Sequence, residues 1–467
     1  MACKVVVIGA GPGGYVAALR AATLGASVVL VEKQQLGGVC LNRGCIPTKT
    51  WLSSVELREE FLHARAMGVI VPEARVDVSA VRERKQRVIA QLVGSIKGLL
   101  ARQGVLIKNG MGTFASGNAV RVLDPSGREE TIVFDRCIIA SGSRPAIPPI
   151  SGIDKHFVLS GEEVFDMTEV PTRVAIVGGG VMGVELAYLY RALGSQVTVV
   201  EVLDRLLPQA DVDVSTAIAD ALKAKGVVVL TNSRVLSVEN GTGASCQVVI
   251  QAGQRELQVE CEKVIVAAGR KPNTEDLGLE TAGVITRNGW VKVNEQMRTS
   301  NPAVYAAGDV TGGPLLAHVA SAGGIVAAEN ACGRRSSLDS RYVPSCVYTV
   351  PEAAWVGLTE TEAKQKFSKV RCGKYPMGGS GRALAMGKAA GFVKVIAEEK
   401  YGEIVGVHMV GPNVTEIIGA AVTAMRLECT VELLGEIMFP HPTVSEALME
   451  AAKMAAGTSP LLAHGKA

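Results

Sequence analysis

The 467-residue sequence has few aromatic residues, little net charge and no long apolar run. Aromatic residues make up 4% of the chain, whereas 52 residues are glycine, a composition that favours tight turns and close backbone approaches. Lys and Arg number 48 against 45 Asp and Glu, and the resulting net charge of +3 is too small to attract nucleic acid. No stretch reaches about 18 uninterrupted apolar residues, so we predict neither a membrane-spanning helix nor a membrane partner.

Cysteines are too sparse for a secreted disulfide scaffold, since the chain has only ten. We therefore predict a cytoplasmic protein, in which a persistent structural disulfide would be unusual. Two cysteines, Cys40 and Cys45, stand five positions apart in "GGVCLNRGCIPTK" and need a separate explanation. The other eight are scattered singly and are expected to be buried, inert thiols: Cys3, Cys137, Cys246, Cys261, Cys332, Cys346, Cys372 and Cys429.

A pattern typical of dinucleotide binding lies near the N-terminus. The apolar run Lys4–Ile8 leads directly into Gly9, Gly11 and Gly14, which have the G-x-G-x-x-G spacing between a predicted strand and a predicted helix. The first glycine permits the turn, the second lets a pyrophosphate approach the backbone, and the third allows close helix–strand packing. A second apolar strand ends at Glu32, where a carboxylate can accept hydrogen bonds from a ribose diol.

The same pattern recurs in "RVAIVGGGVMGVELAYLYRALGSQVTVVE" with Gly178, Gly180 and Gly183, and it ends at Glu201. One G-x-G-x-x-G is weak support for a nucleotide site, but each copy here has the strand, the helix, the second strand and the terminal acid. The sequence therefore predicts two dinucleotide sites. A carboxylate at Glu201 would repel a 2′-phosphate, so the second site is expected to bind NAD rather than NADP.

Two Gly- and Pro-rich exits from strands, "CIIASGSRPAIPPISG" and "KVIVAAGRKPNT", indicate domain boundaries. Shorter alternating runs with helices follow residue 341 and predict a separate α+β domain. We predict an α/β fold with two Rossmann-like dinucleotide-binding domains and a C-terminal α+β domain. The predicted segments are a first nucleotide-binding domain at 1–147, a second at 148–270, a central segment completing the first at 271–341, and the C-terminal domain at 342–467.

Three explanations compete for Cys40 and Cys45: half of a metal site, two inert thiols, or a reactive pair. Zinc needs about four ligands, and no second Cys or His cluster lies at a matching spacing, so no metal site is predicted. A reactive pair has positive support, because Lys49 and Arg43 are close in sequence and a helix N-terminus stabilises a thiolate. Two dinucleotides and a dithiol also form a coherent electron path between a nicotinamide, a flavin and a disulfide.

Thiol–disulfide exchange also needs a proton acceptor, and His441 in "FPHPTVSEALMEAA" is the candidate. Glu446 follows it by about one and a half helical turns. A carboxylate bonded to one imidazole nitrogen fixes the tautomer and raises the basicity of the other nitrogen. A surface His-Pro turn with a helix-capping acid explains this stretch equally well.

Taken together, these motifs resemble the flavin-dependent pyridine nucleotide–disulfide oxidoreductases, and among them the branch that oxidises dihydrolipoyl groups. The resemblance covers nearly the whole chain and runs in family order. Its motifs are "GAGPGGYVAALRAATLG", "GGVCLNRGCIPTK", "VGGGVMGVELA", "VYAAGDV", "LLAHVASAGG", "YTVPEAAWVGLTE" and "HPTVSEA". It implies FAD and NAD as cofactors, a homodimer formed through the C-terminal domain, and a dihydrolipoyl carrier of a multienzyme complex as the partner.

The resemblance also implies individual roles. Cys40 would be the exchange thiol and Cys45 the thiol next to the flavin, while His441, oriented by Glu446, would reach the cysteines of the partner subunit. Lys49 would lie by the flavin ring, close to Glu185. The implied FAD site comprises Gly9, Gly11, Gly14, Glu32, Lys49, Gly112, Ser141, Gly142, Asp309, Ala317 and His318. The implied NAD site comprises Gly178, Gly180, Gly183, Glu185, Glu201, Val235, Gly269 and Arg270.

This sequence departs from the family pattern at Arg43, where an apolar residue is usual, and at Phe439-Pro440 before His441. We therefore expect an altered substrate channel. Two rival functions remain: an NADPH-dependent, glutathione-type reductase, which Glu201 disfavours, and a catalytically silent FAD/NAD-binding module. The complete set of Cys40, Cys45, His441 and Glu446 disfavours the silent module.

Overall fold

The computed structural model describes residues 2–72, 74–243 and 245–461, which form two compact units. The first unit holds the chain up to Trp51 together with Ser79–Ala146 and Gly269–Asp339. The second holds Leu52–Val78, Ile147–Ala268 and the chain from Ser340 onward. The four-segment division predicted from the sequence stays a prediction, since the second and fourth segments fall in one unit. Within the described ranges, no helix is long and apolar enough to cross a membrane.

The strands, in chain order, are β1 (Lys4–Ile8), β2 (Ser27–Glu32), β3 (Leu106–Asn109), β4 (Met111–Ser116), β5 (Ala119–Leu123), β6 (Glu129–Val133), β7 (Arg136–Ile139), β8 (Ser143–Pro145), β9 (Val158–Ser160), β10 (Arg173–Val177), β11 (Gln196–Val200), β12 (Val228–Leu230), β13 (Ser233–Asn240), β14 (Cys246–Ala252), β15 (Arg255–Cys261), β16 (Lys263–Val266), β17 (Arg270–Pro272), β18 (Thr286–Arg287), β19 (Trp290–Val291), β20 (Val304–Ala306), β21 (Ser345–Val347), β22 (Glu352–Gly357), β23 (Val370–Pro376), β24 (Phe392–Glu398) and β25 (Ile404–Gly411).

The helices, in chain order, are α1 (Pro12–Thr23), α2 (Gly38–Asn42), α3 (Cys45–His63), α4 (Val78–Arg102), α5 (Val181–Leu193), α6 (Val212–Ala224), α7 (Ala317–Ala331), α8 (Glu360–Lys366), α9 (Gly381–Ala385), α10 (Val414–Arg426), α11 (Val431–Glu436) and α12 (Glu446–Ala456).

The first unit is built on a five-stranded parallel sheet in the order β20-β7-β1-β2-β3. The central strand β1 reads as a continuous apolar run because both faces of a parallel sheet are covered, and Val5, Val6 and Val7 are fully buried. Helix α1 leaves the end of β1 and packs against α7. A three-stranded antiparallel sheet, β4-β5-β6, completes the unit together with the short pairs β8–β17 and β18–β19.

The second unit repeats this parallel architecture in the order β12-β11-β10-β16-β9 and adds an antiparallel sheet, β13-β14-β15. Its C-terminal part is a separate antiparallel sheet, β21-β22-β25-β24-β23, on which α10 and α12 pack, while α11 packs against α12. Val395, Val407 and Leu448 are fully buried there. The expected fold class, two Rossmann-like nucleotide-binding sheets and a C-terminal α+β part, is confirmed.

Candidate active site and nucleotide sites

The first glycine loop joins β1 to α1 in the way that the spacing predicts. A Cβ built on Gly14 would overlap the carbonyl oxygen of Gly9, so the helix can start this close to the strand only with glycine at position 14. Gly11 is the N-cap residue of α1, and Pro12 follows it in the first turn. The loop therefore directs the N-terminus of a helix, with its N–H groups, toward the predicted position of a pyrophosphate.

Glu32 stands at the end of β2, beside this loop. One carboxylate oxygen accepts a hydrogen bond from the backbone N–H of Ala10 at 2.7 Å, and the other accepts from Gln34 N at 2.7 Å. Because each carboxylate oxygen can accept more than one hydrogen bond, Glu32 is held in place and can still receive ribose hydroxyls. The geometry agrees with the role predicted for it.

A cavity of about 260 Å³ opens beside Glu32 in the first unit, and Gly112 and Ser141 from the predicted FAD site line it. Its full lining is Ile8, Gly9, Val31, Glu32, Lys33, Gly110, Met111, Gly112, Ser141, Arg144, Asn273, Glu275, Asp276 and Leu277. A glycine loop, a fixed carboxylate and an adjoining cavity of this kind fit the adenosine end of FAD.

One wall of that cavity is a segment that sequence reasoning missed, residues 272–277, here called the strap. Ser141 Oγ donates to Asn273 O at 2.8 Å, and Asn273 Nδ2 donates back to Ser141 O at 2.9 Å. Arg144 donates to Pro272 O at 2.9 Å and pairs with Glu275 at 2.6 Å. These partners lie about 130 residues apart, so no local pattern could have indicated the strap.

The remaining residues of the predicted FAD site lie near the ends of β8, β20 and α7. Asp309 follows β20 and accepts a hydrogen bond from Ser143 Oγ at 2.6 Å. Gly142 accepts the backbone N–H of Asn273 at 3.0 Å through its carbonyl oxygen. Ala317 and His318 begin helix α7.

Arg270, which was predicted to serve NAD together with Gly269, also lies in this first unit. Its Nε donates to Ser143 Oγ at 2.6 Å and lies 3.8 Å from Asp309 Oδ2. The structure therefore places Arg270 beside a residue of the predicted FAD site. Its contact with NAD stays a prediction.

The second glycine loop joins β10 to α5 with the same geometry as the first. A Cβ on Gly183 would overlap the carbonyl oxygen of Gly178. Glu201 accepts from Gly179 N at 2.5 Å through one oxygen and from Leu203 N at 2.8 Å through the other. The carboxylate is thus fixed at the end of β11, and its contact with the ribose of NAD stays a prediction.

Two other residues of the predicted NAD site are buried in the second unit. Glu185, on α5 just beyond this loop, accepts the backbone N–H of Tyr348 at 3.0 Å. Val235 on β13 packs into a hydrophobic cluster with Val248 and Ile250. Their contact with NAD stays a prediction.

Cys40 and Cys45 are brought together by a break between two helices. Cys40 lies on α2, and Cys45 is the first residue of α3. A hydrogen bond with the Cys45 thiol and burial raise the pKa of Cys40, whereas Lys49, one turn into α3, acts to lower that pKa. The two thiols are therefore partners, as a redox pair requires, and Cys45 is the more exposed of the two.

Arg43, the unusual residue between the cysteines, is the C-cap of α2 and donates a hydrogen bond to Gln34 Oε1 at 2.6 Å. Gln34 in turn donates its backbone N–H to Glu32. Arg43 therefore connects the cysteine segment to the turn that follows Glu32.

His441 and Glu446 form the pair that the sequence proposed. His441 Nδ1 lies 2.9 Å from Glu446 Oε1, and Thr443 N donates to Glu446 Oε2 at 2.8 Å. Burial acts to raise the pKa of Glu446, but the bonds from Thr443 and His441 outweigh it and the pKa is lowered. With Nδ1 as the donor, Nε2 carries the lone pair, and the His441 side chain is 79% exposed. The pair is thus an ionised carboxylate that orients an accessible imidazole base.

Comparison with known proteins agrees with this geometry. Residues 3–324 match the family model described as pyridine nucleotide-disulphide oxidoreductase, and residues 343–452 match the dimerisation domain of the same family. The chain belongs to this family. Its cofactors are accordingly FAD and NAD, as expected from the sequence, and the dimerisation domain supports a homodimer.

Curated relatives align over nearly the whole chain. A dihydrolipoyl dehydrogenase of Bacillus subtilis is 40% identical over 447 residues, covering 95% of this chain and 97% of its own. A dihydrolipoyl dehydrogenase of Thermus scotoductus is 41% identical over 458 residues, covering 96% of each chain.

Solved structures are similar over the same length. LpdA of Mycobacterium tuberculosis superposes with a TM-score of 0.90 at 29% identity, covering 97% of this chain and 99% of its own. RclA of Escherichia coli, described as an HOCl-induced flavoprotein disulfide reductase, superposes with a TM-score of 0.86 at 27% identity, with the same coverage.

Proposed function

We propose that this protein oxidises dihydrolipoamide, presented as the dihydrolipoyl group of a carrier in a multienzyme complex, with NAD⁺ as the acceptor. The observation that carries the proposal is the thiol–thiol contact of Cys40 and Cys45 at the start of α3, in the unit that holds the FAD loop. Relatives at 40–41% identity named dihydrolipoyl dehydrogenase support this substrate.

Substrate oxidation is an exchange at the Cys40–Cys45 disulfide. One substrate thiolate attacks the Cys40 sulfur, the Cys40–Cys45 bond breaks, and a mixed disulfide forms. The second substrate thiolate then displaces Cys40, which leaves a cyclic substrate disulfide and a reduced protein dithiol. When bound, FAD supplies the means of moving this electron pair from the dithiol to NAD⁺ as hydride. Lys49 favours the thiolate form of Cys40 throughout.

The protons of the substrate dithiol go to His441. Only a thiolate is nucleophilic enough for exchange, so a base must accept the proton as the sulfur attacks. Nε2 of His441 carries the lone pair, and Glu446 stabilises the imidazolium that forms. In the proposed homodimer this imidazole serves the cysteines of the partner subunit, so each active site needs both subunits.

Glu201 selects the acceptor. Its carboxylate is fixed by two backbone N–H groups and cannot easily turn away from a 2′-phosphate. The expected assay result is rapid NADH formation from dihydrolipoamide and NAD⁺ with little NADPH from NADP⁺. Absence of dihydrolipoamide oxidation in the FAD-loaded dimer would contradict the substrate proposed here.

Replacing Cys45 by serine is expected to lower turnover by at least about 10³-fold, because no disulfide can form. The variant should keep its FAD, since Cys45 contributes neither to the glycine loop nor to the cavity, and flavin absorbance measures this directly. Turnover at the level of the unmodified protein would rule out the disulfide mechanism.

Replacing His441 by glutamine removes the base and keeps a hydrogen-bonding side chain of similar size. We expect kcat with dihydrolipoamide to fall by about 10²–10⁴-fold, a range typical for loss of a general base. A rate unchanged from the unmodified protein would show that another group takes the proton. Thr443→Ala is a matched control in the same turn, since its backbone bond to Glu446 is retained.

A further inference from the structure

Two cysteines that the sequence analysis treated as separate, inert thiols lie in contact in the second unit. β14 begins at Cys246 and β15 ends at Cys261, and the antiparallel register pairs these two residues directly across the ladder. Their Sγ atoms are 3.4 Å apart. The hairpin that closes at Ala252 and Arg255 brings them together. The two thiols are therefore neighbours in the fold although they are 15 residues apart in the sequence.

This pairing has the geometry that a disulfide needs. Directly opposite residues of an antiparallel pair have Cα atoms about 4.5–5.5 Å apart. Disulfides span Cα–Cα distances of about 4.4–6.8 Å, with an S–S bond of about 2.05 Å. The sulfur atoms of Cys246 and Cys261 therefore need to approach by little more than an ångström, which side-chain rotation can supply without moving the strands.

We propose that Cys246 and Cys261 are a second dithiol, distinct from the catalytic pair, which a peroxide oxidises to a disulfide joining β14 to β15. One thiolate attacks a peroxide oxygen, the O–O bond breaks, and a sulfenic acid and hydroxide form. The other thiol then attacks the sulfenic sulfur, and the S–S bond forms with loss of water. The two thiols lose two electrons in total, and hydrogen peroxide gains them to become two molecules of water.

The burial of Cys246 and Cys261 and the charges near them determine which oxidant can react with the two thiols and how fast it reacts. Both side chains are at most 1% exposed, so a small uncharged peroxide is suited to the site and a bulky disulfide is not. Burial is the main influence on the pKa of each thiol and raises it, while Lys263 and Lys155 act in the opposite direction on Cys246. Cys246 is the first residue of β14 and Cys261 is the last residue of β15, and strand termini are where local opening is easiest. The reaction is therefore slow compared with oxidation of an exposed thiolate.

The expected consequence is structural. A disulfide between these positions would close the 246–261 hairpin covalently and restrict the unfolded chain, which stabilises the folded form. β15 runs on into β16, which pairs with β10, the strand that leads into the glycine loop at Gly178. Oxidation would therefore brace the sheet beside the NAD loop and leave Cys40 and Cys45 free to cycle.

Peptide mapping of the FAD-loaded protein tests the proposal. Cleavage after Arg234, Arg255 and Lys263 places Cys246 in the peptide 235–255 and Cys261 in the peptide 256–263. After treatment with hydrogen peroxide, blocking of remaining thiols in denaturant and digestion, these two peptides should appear joined and two hydrogens lighter than their sum. Dithiothreitol should separate them. Cys137, which is equally buried, should keep a thiol that can be blocked.

The proposal is overturned if both peptides carry the blocking group at a peroxide dose that has oxidised the exposed Cys372. It is also overturned if they end as sulfinic or sulfonic acids without a joined form. In a second measurement, peroxide should raise the Tm of the unmodified protein by about 3–5 °C. The same treatment should leave the Tm of Cys246→Ser or Cys261→Ala unchanged, and an equal rise in either variant would contradict the proposed bond.

Discussion

The two nucleotide loops of this protein share their internal geometry and differ in what covers them. In both, the third glycine lies against the carbonyl oxygen of the first, and a glutamate at the end of the next strand holds two backbone N–H groups. At the first loop, the turn that leads to the cysteines lies against it: a Cβ on Gly38 would approach Gly11 Cα to 2.7 Å. At the second loop, a Cβ on Gly180, the counterpart of Gly11, would meet no described atom within 4 Å, and the covering contact is a side chain at the neighbouring position: a Cβ on Gly179 would approach Leu206 Cδ2 to 2.5 Å.

The strap at residues 272–277 adds to this difference. It forms one wall of the cavity beside Glu32 and is held by Ser141 and Arg144. A covering wall suits a cofactor that stays through many turnovers, whereas a site without one suits a nucleotide that binds and leaves in each cycle. We therefore predict that one loop pattern serves a resident FAD in the first unit and an exchanging NAD in the second, and that the covering segments make the difference.

The strongest test of this comparison is to place the same clash in each loop. Gly14→Ala should abolish FAD retention, and turnover should then fall by at least about 10³-fold because the electron carrier is lost. Gly183→Ala should keep the flavin absorbance, while KM for NAD⁺ rises by about 10²-fold through misplacement of the pyrophosphate. Flavin absorbance of the purified dimers and steady-state kinetics separate the two results. Gly94→Ala, on α4 with open space around it, is the control.

Flavin loss from the Gly183→Ala variant would break the comparison, because it would show that the second loop also supports the resident cofactor.

Exchanging the two carboxylates for amides gives the next largest effect. Glu201→Gln should reduce the preference for NAD⁺ over NADP⁺ by about 10-fold or more, because the charge that repels a 2′-phosphate is removed. Glu32→Gln makes the same change in the first loop and should weaken FAD retention while leaving the NAD⁺/NADP⁺ ratio unaltered. The ratio of kcat/KM values for the two acceptors measures the first effect. An unaltered ratio in Glu201→Gln would mean that residues other than Glu201 discriminate between NAD⁺ and NADP⁺.

Loosening the strap should have the smallest effect. Asn273→Ala removes the bond from Nδ2 to Ser141 O and the bond that Oδ1 accepts from Arg144 at 3.2 Å. Two hydrogen bonds at about 1 kcal/mol each set an upper limit of about 30-fold on the weakening of FAD binding. Because both bonds hold the strap and not the cofactor itself, we expect a weakening of about 10-fold or less, measured by fluorescence titration of the apoprotein. Asn301→Ala is a matched control, since its Nδ2 holds Gly117 O and Ala282 O in the same unit. Equal loss of FAD in both variants would indicate general loosening of the fold instead of a role for the strap.

Much of the fold and of the candidate site could be predicted from the sequence because the decisive sequence patterns are local. The glycine spacings and the terminal acids Glu32 and Glu201 lie within two short strand–helix–strand stretches, where spacing dictates geometry. The His441–Glu446 pair lies within the turn that leads into α12. Asn273 and Arg144 could not be predicted as cavity residues, since their position depends on the short pairing of β8 with β17 across more than a hundred residues. The contact of Cys246 with Cys261 escaped detection for a related reason, because it depends on the register of a hairpin.

Arg270 follows the last strand of the second parallel sheet in the chain, and the family resemblance assigns it to NAD. In the fold, β17 pairs with β8 and carries Arg270 to Ser143 and Asp309. Chain order and spatial neighbourhood diverge here because one nucleotide-binding segment is inserted into another.

That insertion also sets an order of assembly during synthesis. β20, which pairs with β7 at the edge of the first parallel sheet, follows every strand of the second parallel sheet in the chain. The ~165 residues between β7 and β20 take roughly ten to thirty seconds to translate. The sheet whose first strand emerges first from the ribosome is therefore completed only after the second parallel sheet, and the edge of β7 stays without its partner strand until every strand of that second sheet has emerged.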